Sequence, residues 1–514
     1  MTRFEVVFIA TPALGNLVPI VEFADLLTKH NPQLSATVLT VTTPQRPLIS
    51  TYVQSRASSA TNLKLLHLPT VDPPTPDQYQ SFIAFVSLHI QNHKHQVKNA
   101  LLNLKKNESN SFDSVRLVAL FVDMFSTTLI DVAAELAVPC YLFFASPASF
   151  LGFTLHLDRV DPVESESELA VPSFENPLPR SVLPNLVLDA NDAFSWVAYH
   201  ARRYRETKGI FVNTVQELEP HALQSLYNDS ELPRVYPIGP VLDLVGSNQW
   251  DPNPAQYKRI MEWLDQQPVS SVVFVCFGSM GSLKANQVEE IATGLEMANV
   301  RFLWALREPP KAQLEDPRDY TNPKDVLPDG FLERTAEMGL VCGWVPQAVV
   351  LAHKAVGGFV SHCGWNSILE SLWHGVPIAT WPVYAEQQMN AFQMVRELGL
   401  AVEIRVDYRV GGDLVRAEEV LNGVRSLMKG ADEIQKKVKE MSDICRSALM
   451  ENRSCHVASE TPVAAARCPP AYVAMDAQGA LACSAWESEG ARSGSANGVG
   501  VLGWSGSANG VGVL

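Results

Sequence analysis

Between Trp344 and Gln387 the chain reads WVPQAVVLAHKAVGGFVSHCGWNSILESLWHGVPIATWPVYAEQ. That run holds an indole, a His-Cys-Gly-Trp-Asn-Ser turn, a helix opening and a closing Glu-Gln pair. A glycine-containing turn that feeds a helix start aims backbone N–H groups and the positive end of the helix dipole at one point, which suits phosphate. Trp344 offers a flat face for a base, and Glu386 and Gln387 are groups that bind sugar hydroxyls. The chemistry is that of a site for an anionic, hydroxyl-rich ligand. Three of these residues also have a plainer reading. Trp344 suits a core, His362 suits a satisfied core histidine, and Ser367 with Glu370 has the spacing of a helix capping box.

The elements that must carry this site alternate along the chain. Short apolar runs at 5–10, 35–43, 116–123 and 139–146 are separated by stretches with helical spacing such as VPIVEFADLL (18–27). The theme returns at 271–277, 301–306, 339–344, 357–362 and 377–382. Near-continuous apolar strands between helices predict parallel sheets covered on both faces. Around 244–256 the pattern breaks into Gly, Asn, Pro and Asp, as a linker does. The expected organisation is a first domain over 1–243, a linker over 244–258 and a second domain over 259–450. Both domains are predicted to be doubly wound α/β units facing a cleft, with ligands at the C-terminal ends of the strands. Residues 451–514 are rich in Ala, Gly, Ser and Val, and SGSANGVGVL occurs at 493–502 and again at 505–514. This is read as an atypical, disordered tail. Its GVGVLG (498–503) fits GxGxxG formally, but with no strand before it and no helix after it the match carries no meaning.

A chain of 514 residues is long for one core, in line with two domains. The net charge of −15 argues against nucleic acid or an anionic membrane as partner. No apolar run reaches membrane-spanning length, and no pair of the eight cysteines has metal-site spacing. The start, MTRFEVVFIATP, reads as a strand rather than a signal peptide. A cytoplasmic monomer with reduced, buried thiols is expected, and the sequons at Asn107, Asn228 and Asn452 are then chance.

The run from Trp344 to Gln387 closely resembles the signature segment of plant family-1 UDP-sugar glycosyltransferases. The likeness extends through GIFVNTVQELEP (209–220), VYPIGPVLDL (235–244), VVFVCFGSMGSL (272–283) and RFLWALREP (301–309), and covers roughly 4–450. It is strongest to the branch that glycosylates flavonoids, other phenolics and terpenoid-like small molecules. The resemblance implies the GT-B arrangement and a donor site made by Ser279, Trp344, Val345, Gln347, His362, Gly364, Trp365, Asn366, Ser367, Glu370, Glu386 and Gln387. Within it Trp344 stacks on uracil, Gln347 serves the uracil edge, Ser279 and His362 reach the diphosphate, and Glu370 takes the ribose hydroxyls. Trp365 and Gln387 match the choices of UDP-glucose users. The resemblance implies UDP-glucose as co-substrate, no cofactor and no metal.

One position departs from the family. The first strand-to-helix loop, TPALGNLVP (11–19), carries Asn16 where the family carries a catalytic His, while the Asp that would hold that His is present as Asp123. An amide has no usable proton affinity near neutral pH. Positioned acid–base help is worth roughly 10²–10⁴ in rate, about 3–5 kcal/mol. An acidic phenol, or a ring carbon of such a phenol, needs that help least. Asp123 through a water, or Glu386, are the candidate substitutes. The expected function is inverting O- or C-glucosylation of a phenolic acceptor; the alternative is a catalytically impaired protein that binds UDP-sugar or a flavonoid.

Overall fold

The computed structural model describes residues 3–42, 46–57, 62–108, 115–157, 159, 167–188, 191–244, 253–311, 315–450, 473–475 and 481–483. The first half forms a parallel sheet from β1 (Arg3–Ala10), β2 (Leu34–Thr40), β3 (Leu63–His67), β4 (Val115–Asp123), β5 (Cys140–Phe144), β6 (Ile210–Val212) and β7 (Val235–Pro237). Its strand order is β3-β2-β1-β4-β5-β6-β7. The second half forms another from β8 (Val272–Cys276), β9 (Arg301–Ala305), β10 (Gly339–Cys342), β11 (Val356–Ser361), β12 (Ile378–Thr380) and β13 (Ala401–Glu403), ordered β10-β9-β8-β11-β12-β13.

Both sheets are buried on both faces, which is why their strands read as unbroken apolar runs. In β1, Val7 and Ile9 join one cluster with Leu120, Leu142 and Phe144, while Val6 and Phe8 join another with Phe121 and Phe143. In β8, Val272 and Phe274 go to one side, Val273 and Val275 to the other. The side chains alternate because successive Cβ atoms point to opposite faces.

The halves interlock. Met389 and Phe392 of the second half pack into the core of the first, and Val215 and Leu218 of the first pack into that of the second. Ser149 Oγ donates to Gln393 Oε1 at 2.9 Å, and the Arg409 guanidinium donates to Ser181 O at 2.8 Å and Asn185 Oδ1 at 2.7 Å.

One boundary differs from expectation. The stretch read as a linker to 258 already contains the start of the helix Pro254–Asp265, whose first N–H groups are capped by Asn253 Oδ1 accepting from Gln256 N at 3.1 Å. Asn followed by Pro is a helix-start signal rather than only a breaker. Residues 245–252 of the linker lie outside the described residues. In the 451–514 segment, read as mostly disordered, a short antiparallel pair joins Val473–Met475 with Leu481–Cys483; the rest of that reading, including GVGVLG, lies outside the described residues.

Candidate active site

The helix Trp365–His374 begins at the end of β11 and is capped by the backbone of Gly364 alone, with no side-chain cap. Ser367 is therefore the third residue of the helix and Glu370 the sixth, which removes the capping-box reading of that pair. The first N–H groups of the helix remain free to meet an anion. Entry to the helix requires Cys363 at φ +61°, in the left-handed region, directly between His362 and Gly364.

His362 is wedged between two glycines. A Cβ at Gly278 would stand 2.5 Å from its Nε2, and one at Gly364 would stand 2.6 Å away, so only glycine leaves room for the ring. Burial pushes the imidazole down to about 4, and it is a neutral hydrogen-bonding group at pH 7 rather than a cation. Glu370 accepts from Gln347 Nε2 at 2.7 Å, and the same nitrogen donates to Ser367 Oγ at 2.7 Å. Burial, reinforced by the nearby Asp243, raises the Glu370 carboxyl to about 7 against the Gln347 hydrogen bond.

The loop that carries Trp344 is pinned from its backbone. Trp344 N donates to Asp319 Oδ1 at 2.8 Å, and Trp344 O accepts from Gln256 Nε2 at 2.6 Å. Asp319 is in turn held by Arg307 Nε at 3.0 Å. Gln387 turns its Oε1 to the N–H groups of Val383 and Tyr384, at 2.9 and 3.0 Å, leaving its amide NH₂ as the donor end. Glu386 Oε1 accepts from Ser146 Oγ of the first half at 3.0 Å, and burial raises its carboxyl.

Two residues at the start of the helix Trp365–His374 reach across to the first half. Trp365 Nε1 donates to Asn213 O at 2.6 Å, so the indole N–H is committed to the seam between the halves. Asn366 Nδ2 donates to Gly15 O at 2.9 Å. That carbonyl is available because Pro19, four residues on in the helix Leu14–His30, has no N–H to give it.

A single cavity of about 710 Å³ brings the predicted residues together. Ser279, Trp344, Val345, Gln347, His362, Gly364, Trp365, Asn366, Ser367, Glu370, Glu386, Gln387 and Asn16 all line it. Asp123 does not. It is 1 % exposed, with Oδ2 accepting from Thr11 N at 2.6 Å and Oδ1 from Phe125 N at 3.0 Å, and burial raises its carboxyl. Its visible work is to tie the end of β4 to the start of the loop that carries Asn16.

Beyond Asn16 the wall is apolar, with Phe82, Ile83, Met124, Phe125, Phe150, Leu186 and Val197. Arg46, His200 and Asp243 also line the cavity and were not singled out from the sequence: His200 lies in the stretch 150–200, without a readable code, while Asp243 sits inside VYPIGPVLDL (235–244), read there only as part of the family likeness. His200 is locked by Thr127 Oγ1 at Nδ1 (2.6 Å) and Ser87 Oγ at Nε2 (2.8 Å), and burial lowers it to about 3. Among the described residues no group of three or more His, Cys, Asp or Glu is arranged to hold a metal ion, and no helix is long and apolar enough to cross a membrane.

Two parallel-sheet α/β domains lining one cavity define the GT-B architecture. Residues 199–447 match the family described as "UDP-glucoronosyl and UDP-glucosyl transferase". The chain is 79% identical over 457 residues to UDP-glycosyltransferase 43 of Pueraria montana var. lobata, covering 89% of this chain and 97% of that protein. It is 45% identical over 466 residues to UDP-glucose flavonoid 3-O-glucosyltransferase 6 of Fragaria ananassa, covering 88% and 96%. Among solved structures, Medicago truncatula UGT71G1 complexed with UDP-glucose superposes with a TM-score of 0.79 at 40% identity, over 87% of this chain and 95% of that one. The chain belongs to the plant family-1 UDP-dependent glycosyltransferases, in the flavonoid and phenolic branch.

Proposed function

We propose that this enzyme transfers glucose, with inversion, from UDP-glucose to an acidic hydroxyl or activated ring carbon of a small phenolic or flavonoid acceptor. The observation that carries the reading is Asn16 on the wall of a cavity whose donor half is otherwise complete. The helix start at 365–367, Ser279 and the neutral His362 take the diphosphate and stabilise it as it leaves. Trp344, Val345 and Gln347 take the uracil, Glu370 the ribose hydroxyls, and Glu386 with the Gln387 amide the glucose hydroxyls. Held this way, the anomeric carbon faces the apolar half of the cavity, and proximity supplies most of the acceleration. No group at position 16 removes a proton, so acceptors that ionise readily are favoured. Glu386, with its raised carboxyl and its place beside the sugar, is the residue best suited to assist.

The relatives' names support glucose and a flavonoid-type acceptor. Among the described residues five free buried cysteines support a reducing, cytosolic setting, and a cleft built from one chain's own halves supports a monomer as the working unit. A domain boundary just before the helix Pro254–Asp265, and a second near 450, are part of the same proposal. The test is to incubate the purified protein with UDP-glucose and a phenolic panel, then treat the products with acid before mass spectrometry. O-glucosides hydrolyse and C-glucosides persist. Absence of any product with intact UDP binding favours the second reading, a UDP-sugar-binding protein disabled at Asn16.

A further inference from the structure

The acceptor end of the cavity takes part of its wall from the short helix Asn185–Leu188, which presents Asn185 and Leu186 to the cavity and buries Val187 in the core of the first half. A single helical turn has little stability of its own, so its position is set by whatever holds it. Much of that hold comes from the second half. Met389, Phe392 and Val406 pack into the cluster that contains Val182, Leu183 and Val187. Glu397 Oε1 accepts from Asn176 N at 2.9 Å, fixing the approach to the turn. Arg409 fixes the turn itself. Its Nε donates to Asn185 Oδ1 at 2.7 Å, its Nη1 to Ser181 O at 2.8 Å and its Nη2 to Leu183 O. Each guanidinium nitrogen thus donates to one segment of the opposite half, in a planar fork that a lysine ammonium cannot reproduce.

The same arginine is tied to the sugar end of the cavity. Tyr408 O, one residue before Arg409, accepts from Gln388 Nε2 at 2.8 Å. Gln388 stands in the helix Gln387–Phe392, directly after Gln387, and that helix packs against the turn Arg180–Val182. A continuous chain of contacts therefore runs from Gln387 through Gln388, Tyr408 and Arg409 to Asn185 and Leu186, with one end of it on each side of the cavity.

We propose that Arg409 is a positioning residue for the acceptor. By fastening residues 181–185 to the second half, it sets where Leu186 stands and which way the Asn185 amide is turned. With Oδ1 held by Arg409, the NH₂ of Asn185 is the polar end left for an acceptor oxygen. The acceptor wall is then placed by the helix that carries Gln387, and acceptor binding depends on the seam between the halves while nucleotide binding does not. The inference rests on the phenolic-acceptor reading above.

The test measures binding of the flavonol kaempferol to the UDP-saturated protein by equilibrium dialysis, with UDP affinity measured by calorimetry on the same samples. R409A should weaken kaempferol about tenfold, the scale of one or two net hydrogen bonds, and leave UDP affinity within about twofold. R409K keeps the charge without the fork and should fall between R409A and wild type. Where glucoside forms, KM for the acceptor should rise in R409A while KM for UDP-glucose stays, a split that a general loss of structure would not give. E397A releases the approach to the same turn and should shift kaempferol in the same direction, so it carries the test should R409A fail to fold. Kaempferol affinity unchanged in the folded variant, or kaempferol and UDP affinities falling by the same factor, overturns the proposal. A wild type that binds no flavonol undoes the acceptor reading and this proposal with it, whereas wild-type binding that R409A leaves unchanged overturns this proposal alone.

Discussion

Replacing Asn16 by His should extend the enzyme to acceptors that ionise poorly, and the structure sets how far. Asn16 is the third residue of the helix Leu14–His30, half-buried on the cavity wall. Asp123 anchors the same loop through Thr11 N, and its two oxygens accept only the N–H groups of Thr11 and Phe125 among the backbone donors named above. A carboxylate has about four acceptor sites, so it can also take a ring N–H from position 16 and leave the other nitrogen toward the acceptor. A base placed ideally gives roughly 10²–10⁴. A newly introduced ring, without a tuned surround, should recover at least about tenfold, or ~1.4 kcal/mol of barrier. The assay is kcat/KM for aliphatic alcohols and for phenols of graded acidity between pH 5.5 and 9. Only the neutral ring accepts a proton, so the gain should be absent at low pH and rise through a value near the ordinary ~6.5 of imidazole. Gains should shrink as the acceptor becomes more acidic. Equal gains for all acceptors with no new ascending limb, or no gain from a wild type already active on alcohols, would refute the reasoning, and Glu386→Gln would then be measured as the removal of an existing base.

Glu370→Gln should weaken UDP-glucose binding by about 1–3 kcal/mol, because ribose hydroxyls donate better to a carboxylate. With the carboxyl raised to about 7 from 4.5, the unliganded wild type should lose stability as pH climbs through that window, while its affinity for UDP-glucose, titrated calorimetrically, should increase over the same range and stay flat in the variant. Gly364→Ala puts a Cβ 2.6 Å from His362 Nε2, so UDP affinity should fall about tenfold or more as the ring is displaced; an unchanged affinity would mean His362 does not touch the diphosphate. Trp365→Phe deletes the hydrogen bond to Asn213 O and should cost about 0.5–1.5 kcal/mol in urea unfolding, with preference for UDP-glucose over UDP-galactose kept; a switch of preference would assign the indole to sugar choice instead.

The sheets were legible because burial on both faces forces unbroken apolar runs, and β1, β4 and β8 were readable within a residue or two of their ends. The strands that went unread are the short or marginal ones. β3 interrupts its leucines with Lys64 and His67 at a sheet edge, and β6, β7 and β13 are three residues each; β12 is as short and was legible only because the apolar run 377–382 extends past both its ends. At the site, residue types were legible and directions were not. His362, Glu370 and Gln387 announce polar chemistry, but only packing decides that Gln387 spends its carbonyl on the loop or that the Trp365 N–H crosses to Asn213. The acceptor wall, Arg46 included, is assembled from elements far apart in sequence, and no local pattern marks it.

The first turn of the helix Leu14–His30 joins these two levels. Gly15 gives its carbonyl to Asn366 at the start of the helix Trp365–His374, and the next residue, Asn16, lines the cavity. Pro19 keeps the Gly15 carbonyl out of the helix ladder, so the backbone of this turn has a standing partner in the second half whatever side chain follows it. Asp123 holds the other end of the loop through Thr11 N. A change of residue at position 16 therefore alters the chemistry without releasing the turn that positions it. That is why an amide can stand where a base is expected while the donor residues still converge on one cavity. It also explains why compensation is to be sought among the groups already facing that cavity, Glu386 first, rather than in a rearranged loop.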